Sequence, residues 1–130
     1  MIDKQSLPTD AELEILNVLW ANSPLTVKDV HRLLSGKSNR GYTTVLKILQ
    51  IMSEKGLVHR DESQKAHIYR PAIDIQKTQQ SMISHLVNKV FDGSAGNLIM
   101  HALSSRSTSK EELVEIRKLL DEMEGRRNDK

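Results

Sequence analysis

The segment spanning residues 40–71 constrains the fold of this chain more than any other stretch. In its first half, apolar residues recur at three- and four-residue intervals, which predicts a helix with one face packed in a core. These residues are Val45, Ile48, Leu49 and Met52. The Lys55-Gly56 pair predicts the end of this helix, because glycine readily adopts the left-handed cap conformation. Two short strands, Leu57–Arg60 and Ala66–Arg70, are predicted next, joined by a polar turn.

Two further helices are predicted ahead of this segment. The side chain of Thr9 or Asp10 can accept hydrogen bonds from the unpaired backbone N–H groups at the start of the first helix, which ends before Pro24. Thr26 is the predicted cap of the second helix, over residues 27–34. The order is therefore three helices followed by a hairpin.

The chain changes character after the hairpin. Asp74 can cap a helix that runs to about Phe91, and a shorter apolar stripe covers residues 98–103. Ser109 and Glu112 have the three-residue spacing of a capping box and predict the start of a last helix. The fold class expected is mostly α with a small β-wing.

Two domains are predicted, residues 1–72 with the hairpin and residues 73–130 with helices only. Hydrophobic residues make up 38% of the chain and aromatic residues 3%, which predicts a small hydrophobic core. A small core favours burial of part of the apolar surface against a second subunit. The apolar stripes of residues 73–130 then predict a homodimer, although the last stripe would also suit a core. The predicted dimerisation residues are Leu86, Val90, Leu98, Leu113, Ile116, Leu120 and Met123.

Charge is unevenly distributed, although the formal net charge is only +2. Residues 37–70 hold seven Lys or Arg against three acids, whereas residues 72–130 hold nine of each sign. The positive surplus coincides with the third helix and the hairpin, which makes double-stranded DNA the first partner to test.

The third helix has side chains suited to the major groove of DNA. Thr43 and Thr44 are short enough to bond base edges, and Lys47, one turn further, can contact guanine or phosphate. Basic side chains before the helix and on the hairpin would hold the backbone. The alternative is that Thr43 merely caps the helix and that the lysines are only solvated. The predicted DNA-binding residues are Arg40, Tyr42, Thr43, Thr44, Lys47, Lys65 and His67.

Several classes of protein are disfavoured. The chain has no cysteine, which excludes disulfides and thiolate metal sites, and its five histidines are too dispersed to predict a metal or cofactor site. No glycine-rich phosphate loop or nucleophile with a nearby base is evident, so no enzyme is expected. Without a signal peptide or an apolar run of membrane-spanning length, the chain is expected to be soluble and cytoplasmic.

The sequence resembles the penicillinase repressor (BlaI/MecI/CopY) family of bacterial repressors over nearly its whole length. The segments that carry the resemblance are Leu7–Trp20, Leu25–Val30, Tyr42–Leu49, Glu54–Leu57 and Ala66–Pro71. The resemblance implies a winged helix-turn-helix domain followed by a helical dimerisation domain, and binding of palindromic promoter DNA as a homodimer. It also implies transcriptional repression of genes such as those for antibiotic resistance.

Three departures bear on what the resemblance implies. Lys47 and Ile51 stand where the family often has Thr and Arg, so a different operator sequence is expected. Gln64-Lys65 replaces the usual Gly-Arg of the wing, and without cysteine a copper-thiolate mechanism is excluded. Antibiotic-responsive members are inactivated when a membrane-linked metalloprotease cuts an Asn-Phe bond. His101 and Ala102 are the aligned residues here and thus the predicted cleavage position.

Two interpretations of the whole pattern remain. The first is a homodimeric transcriptional repressor that binds operator DNA. The second is a winged-helix module whose third helix packs on another protein within a larger assembly. Binding to duplex DNA distinguishes the two.

Overall fold

The computed structural model describes residues 7–128, so residues 1–6 and 129–130, at the ends of the two predicted domains, lie outside it. The chain divides into two compact units between His85 and Leu86. The helices and strands are α1 (Asp10–Asn22), β1 (Leu25–Thr26), α2 (Val27–Leu34), α3 (Tyr42–Lys55), β2 (Val58–Asp61), β3 (Ile68–Pro71), α4 (Ile75–Lys89), α5 (Ala95–Ser105) and α6 (Lys110–Asn128). No helix within residues 7–128 is long and apolar enough to cross a bilayer.

The helices of the first unit begin and end where their terminal residues predict. Thr9, rather than Asp10, caps α1: its hydroxyl accepts the Glu12 amide at 3.2 Å, and the Glu12 carboxylate accepts the Thr9 amide at 2.9 Å. Thr26 caps α2. Gly56 ends α3 with φ at +82°, a conformation that costs glycine little because it has no Cβ.

The three strands form one antiparallel sheet in the order β1-β3-β2. The β2–β3 hairpin is the predicted wing, with β2 starting one residue and β3 two residues later than the pattern indicated. Strand β1 was not predicted, because two residues are too few to show alternation. Leu25 and Thr26 become a strand by pairing with Tyr69 and Ile68.

The core of the first unit lies between α1, α2, α3 and the sheet. Its side chains come from each of these elements and include Ile15, Leu16, Leu19, Val30, Leu34, Val45, Leu49, Met52, Leu57 and Tyr69. The Trp20 indole N–H donates to the Ile73 carbonyl at 3.1 Å, and Thr78 is buried. Residues after the hairpin therefore pack on the first unit, and its limit falls inside α4, whereas sequence spacing placed a boundary at residue 72. The assignment of functions to residues 1–72 and 73–130 stays a prediction.

An ion pair between a buried carboxylate and a partly exposed ammonium group joins the start of α1 to the end of α3. The Lys55 ammonium lies 2.7 and 3.0 Å from the two carboxylate oxygens of Glu12, whose side chain is only 5% exposed. The same carboxylate closes the capping box with Thr9. One buried carboxylate thus closes the cap of α1 and joins the start of α1 to the end of α3.

Replacing Lys55 with Met is expected to lower the free energy of unfolding by about 2–3 kcal/mol, because a buried carboxylate loses its counter-charge. Urea denaturation followed by fluorescence of Trp20, the single tryptophan, measures the change. The matched control is Lys118→Met, since Lys118 lies 3.8 Å from exposed Glu115 and should contribute less than about 0.5 kcal/mol. Equal effects of the two substitutions would contradict the assigned role of the Glu12–Lys55 pair.

The second unit consists of helices with little core. Asp92 and Gly93 turn the chain after α4 with φ of +48° and +84°, and Ser94 caps α5. At the start of α6 the predicted capping box is present: the Ser109 hydroxyl accepts the Glu112 amide at 3.1 Å, and the Glu112 carboxylate accepts the Ser109 amide at 3.4 Å. No side chain from residue 79 to residue 127 is buried. These helices therefore leave their apolar stripes exposed in a single chain.

Candidate nucleic-acid interface

Helix α3 presents a continuous polar face opposite its buried face. Val45, Leu49 and Met52 are fully buried, and at 100° per residue this turns a different set of side chains outward. The exposed set is Thr43, Thr44, Lys47, Gln50, Ile51 and Glu54. Lys47 lies near the middle of this face, so its ammonium group places a positive charge at the centre of the exposed polar surface.

The threonines at the start of α3 do not serve as caps. The N-cap is Gly41, with φ of −75° and ψ of 166°, and no side chain hydrogen-bonds to the first turn there. The alternative in which Thr43 caps the helix is therefore wrong. Its hydroxyl and that of Thr44 are exposed at the helix start, where a major-groove helix makes its base contacts.

Arg40 is held by an acidic side chain rather than left in solvent. Its Nε and Nη2 atoms lie 3.4 Å from the two carboxylate oxygens of Glu14 on α1, and both side chains are about one-third exposed. This two-point contact positions the loop that leads into α3. The contact also occupies the Nε and Nη2 atoms of the guanidinium group. The DNA contact expected of Arg40 stays a prediction.

Tyr42, the first residue of α3, contacts the preceding helix through its ring. The centroids of Tyr42 and His31 are 5.9 Å apart and the rings are nearly perpendicular, an edge-to-face arrangement. The Tyr42 side chain is still 47% exposed. Its ring is thus positioned by α2 while part of it remains available to a partner.

The wing loop between β2 and β3 carries Lys65 and His67, and both are exposed. Nearby acids are engaged locally, since Glu62 pairs with Arg60 at 2.9 Å. The Ser63 amide donates to Asp61 at 2.9 Å, and this hydrogen bond lowers the pKa of the Asp61 carboxyl.

The first unit thus carries all seven predicted DNA-binding residues: one just before α3, four in the first two turns of α3 and two on the wing. Gln50 and Ile51 also lie on the exposed face of α3, although neither is among the predicted DNA-binding residues. Their helical spacing from Lys47, three and four residues, was the signal that could have identified them.

The residues predicted for dimerisation all lie in the second unit, of which Leu86 is the first residue. They are exposed or half-buried in the single chain. Val90 is 66% exposed and Leu120 49%. Additional apolar side chains on α5 and α6 are exposed but are not among the predicted dimerisation residues. These are Ile99, Met100, Leu103, Val114 and Leu119.

His101 and Ala102, the predicted cleavage position, lie within α5 and are exposed. The His101 ring lies 5.7 Å from the Phe91 ring. Among residues 7–128, no three His, Asp or Glu side chains gather closely enough to hold a metal ion. The absence of a resident cofactor stays a prediction.

Three helices followed by a two-stranded wing on a small sheet define the winged-helix class. The sequence model described as "Penicillinase repressor" matches residues 8–122, and the chain belongs to this family. The family consists of DNA-binding transcriptional repressors and not of enzymes.

The chain is similar over most of its length to known members. The penicillinase repressor of Bacillus licheniformis is 25% identical over 121 residues, which cover 93% of this chain and 94% of that protein. The transcriptional regulator BlaI of Mycobacterium tuberculosis is 38% identical over 63 residues, 48% of this chain and 46% of that protein. The solution structure of the DNA-binding domain of the repressor BlaI is 29% identical with a TM-score of 0.50, over 56% of this chain and 89% of that domain.

Proposed function

We propose that this protein is a homodimeric repressor that binds palindromic operator DNA with α3 in the major groove and the wing on the backbone. The exposed face of α3 carries the proposal, because it combines hydroxyl, amide and ammonium groups around Lys47. These groups match the donors and acceptors of base edges. In this proposal residues 1–72 bind DNA and residues 73–130 dimerise.

The apolar surface of the second unit supports a second copy of the chain as its partner. Leu113, Ile116, Leu120 and Met123 recur at helical spacing along α6, and Leu119 widens the same stripe. A stripe of this width left in water favours burial by another protein surface. A two-fold dimer also places two copies of α3 so that they match the symmetry of an inverted repeat.

The proposal extends to the genes controlled and to the release of repression. The relative named penicillinase repressor, matched over nearly its full length, favours genes of beta-lactam resistance. Release would follow cleavage by a regulatory metalloprotease at His101–Ala102. Both residues lie in a helix, so that turn of α5 must open before a protease can bind it. The exposure of α5 makes such local opening inexpensive.

Affinity for duplex DNA is expected to fall steeply with salt, because bound lysines and arginines displace counterions. If Arg40, Lys47 and Lys65 all contact phosphate, two protomers neutralise six phosphates and the slope is about −5.4 in a plot of log K against log salt. If Glu14 retains Arg40, or if Lys47 contacts a base, four phosphate contacts remain and the slope is about −3.6. Fluorescence anisotropy with a duplex from the chain's own promoter region measures the slope.

Footprinting of the same complex tests the proposed symmetry. Two protected halves of equal length, related by a two-fold axis, are expected. A slope near zero together with no protected sequence would contradict the repressor and favour the protein-interaction module.

A further inference from the structure

Ile51 is an unexplained apolar side chain on the polar face of α3. Within α1, α2 and α3 it is one of two large apolar side chains that are exposed, and the other is Tyr42. Ile51 is 41% exposed and belongs to α3, whereas the apolar residues of the opposite face are buried. The core therefore does not account for an isoleucine at this position.

The position of Ile51 aligns it with the residues proposed to read DNA. It follows Thr44 by seven residues and Lys47 by four, which places the three in one row along the helix. At 1.5 Å per residue, Ile51 lies about 6 Å further along the axis than Lys47. Successive base pairs are about 3.4 Å apart, so this separation corresponds to about two base pairs.

The surroundings of Ile51 favour a base edge over a protein partner. Its neighbours on the exposed face are Lys47, Gln50 and Glu54, all polar and exposed. A protein interface on this face would need a contiguous apolar patch, and one isoleucine among charged and amide groups does not form one. In the major groove, the C5 methyl group of thymine is an apolar feature of matching size, flanked by polar atoms.

We propose that Ile51 is a specificity-determining residue that packs against the C5 methyl of a thymine about two base pairs from the pair contacted by Lys47. This inference rests on the proposed function, since it requires α3 to lie in the major groove. It assigns a base to one position of the operator half-site. Loss of one buried methyl contact weakens binding about fourfold.

The test begins with duplexes that the wild-type protein selects from a random-sequence library. Each thymine of a selected duplex is then replaced singly by deoxyuridine, which lacks the methyl group but pairs identically. One thymine in each half-site is expected to raise the Kd about fourfold when replaced, and both together about fifteenfold. This measurement uses the wild-type protein alone, so it does not depend on the folding of any variant.

Two protein variants then test whether the Ile51 side chain is the group that contacts the thymine methyl. Ile51→Ala should bind the thymine and deoxyuridine duplexes with equal Kd. Ile75→Ala is the matched control, because Ile75 is similarly exposed at 39% but lies on α4, and it should keep the fourfold difference.

The outcomes separate this inference from the proposed function. If selection succeeds but no deoxyuridine weakens binding, or if Ile51→Ala keeps the fourfold difference, the role of Ile51 is wrong while the repressor stands. If the wild-type protein enriches no sequence at all, the proposed function fails, and the inference fails with it.

Discussion

Replacing Leu120 with Asp is expected to convert the proposed dimer to monomers. Burial of one leucine side chain contributes about 2 kcal/mol, and two-fold symmetry removes it twice, a loss of about 4 kcal/mol. This corresponds to a roughly thousandfold weaker dimerisation constant, before the cost of burying a carboxylate is added. Sedimentation velocity over a concentration series measures the change. Operator affinity should fall with it, because two linked half-sites bind more tightly than one.

The chain offers a close control for the Leu120 substitution. Val114 lies on the same helix and is exposed to nearly the same extent, 48% against 49%, but it points about 100° or more away from the stripe. Val114→Asp should therefore leave the dimer intact. A Leu120→Asp protein that dimerises as strongly as the wild type would remove α6 from the interface.

Replacing Lys47 with Ala is expected to weaken binding to the selected operator about a hundredfold. A base contact is worth about 1–3 kcal/mol, and we take about 1.4 kcal/mol for one lysine; losing it in both half-sites gives about 2.8 kcal/mol, which is a hundredfold. Discrimination at the contacted base pair should also relax. If Lys47 contacts phosphate instead, sequence preference should persist and the salt slope should become shallower by about 2. Competition binding with single-base operator variants at several salt concentrations separates the two results.

Lys118→Ala is the control for loss of positive charge. It removes the same charge from α6, where the ammonium lies 3.8 Å from Glu115. Its effect on DNA affinity should be small because Lys118 is not among the residues proposed to contact DNA, and salt screens exposed charges that make no direct contact. Unchanged affinity and unchanged sequence preference in Lys47→Ala would show that α3 is not the recognition helix.

The candidate site was predictable to the extent that it lies on one helix. The spacing of Val45, Leu49 and Met52 determines which side of α3 is buried, and the opposite side then follows from geometry. That reasoning correctly places Thr43, Lys47, Gln50 and Glu54 on the exposed side. The engagement of Arg40 by Glu14 was not predictable, because the two residues are 26 positions apart and on different elements.

The sequence alone determined where most elements begin and end. The helix caps at Thr26, Gly56 and Ser109–Glu112 act through hydrogen bonds to residues within four positions. A short stretch of sequence is therefore enough to predict them. Only the tertiary structure decided which distant residues meet. Strand β1 exists because Leu25 lies opposite Tyr69, and Glu12 is buried because Lys55 reaches it. Such contacts depend on how the helices pack around a shared core, which no short stretch of sequence specifies.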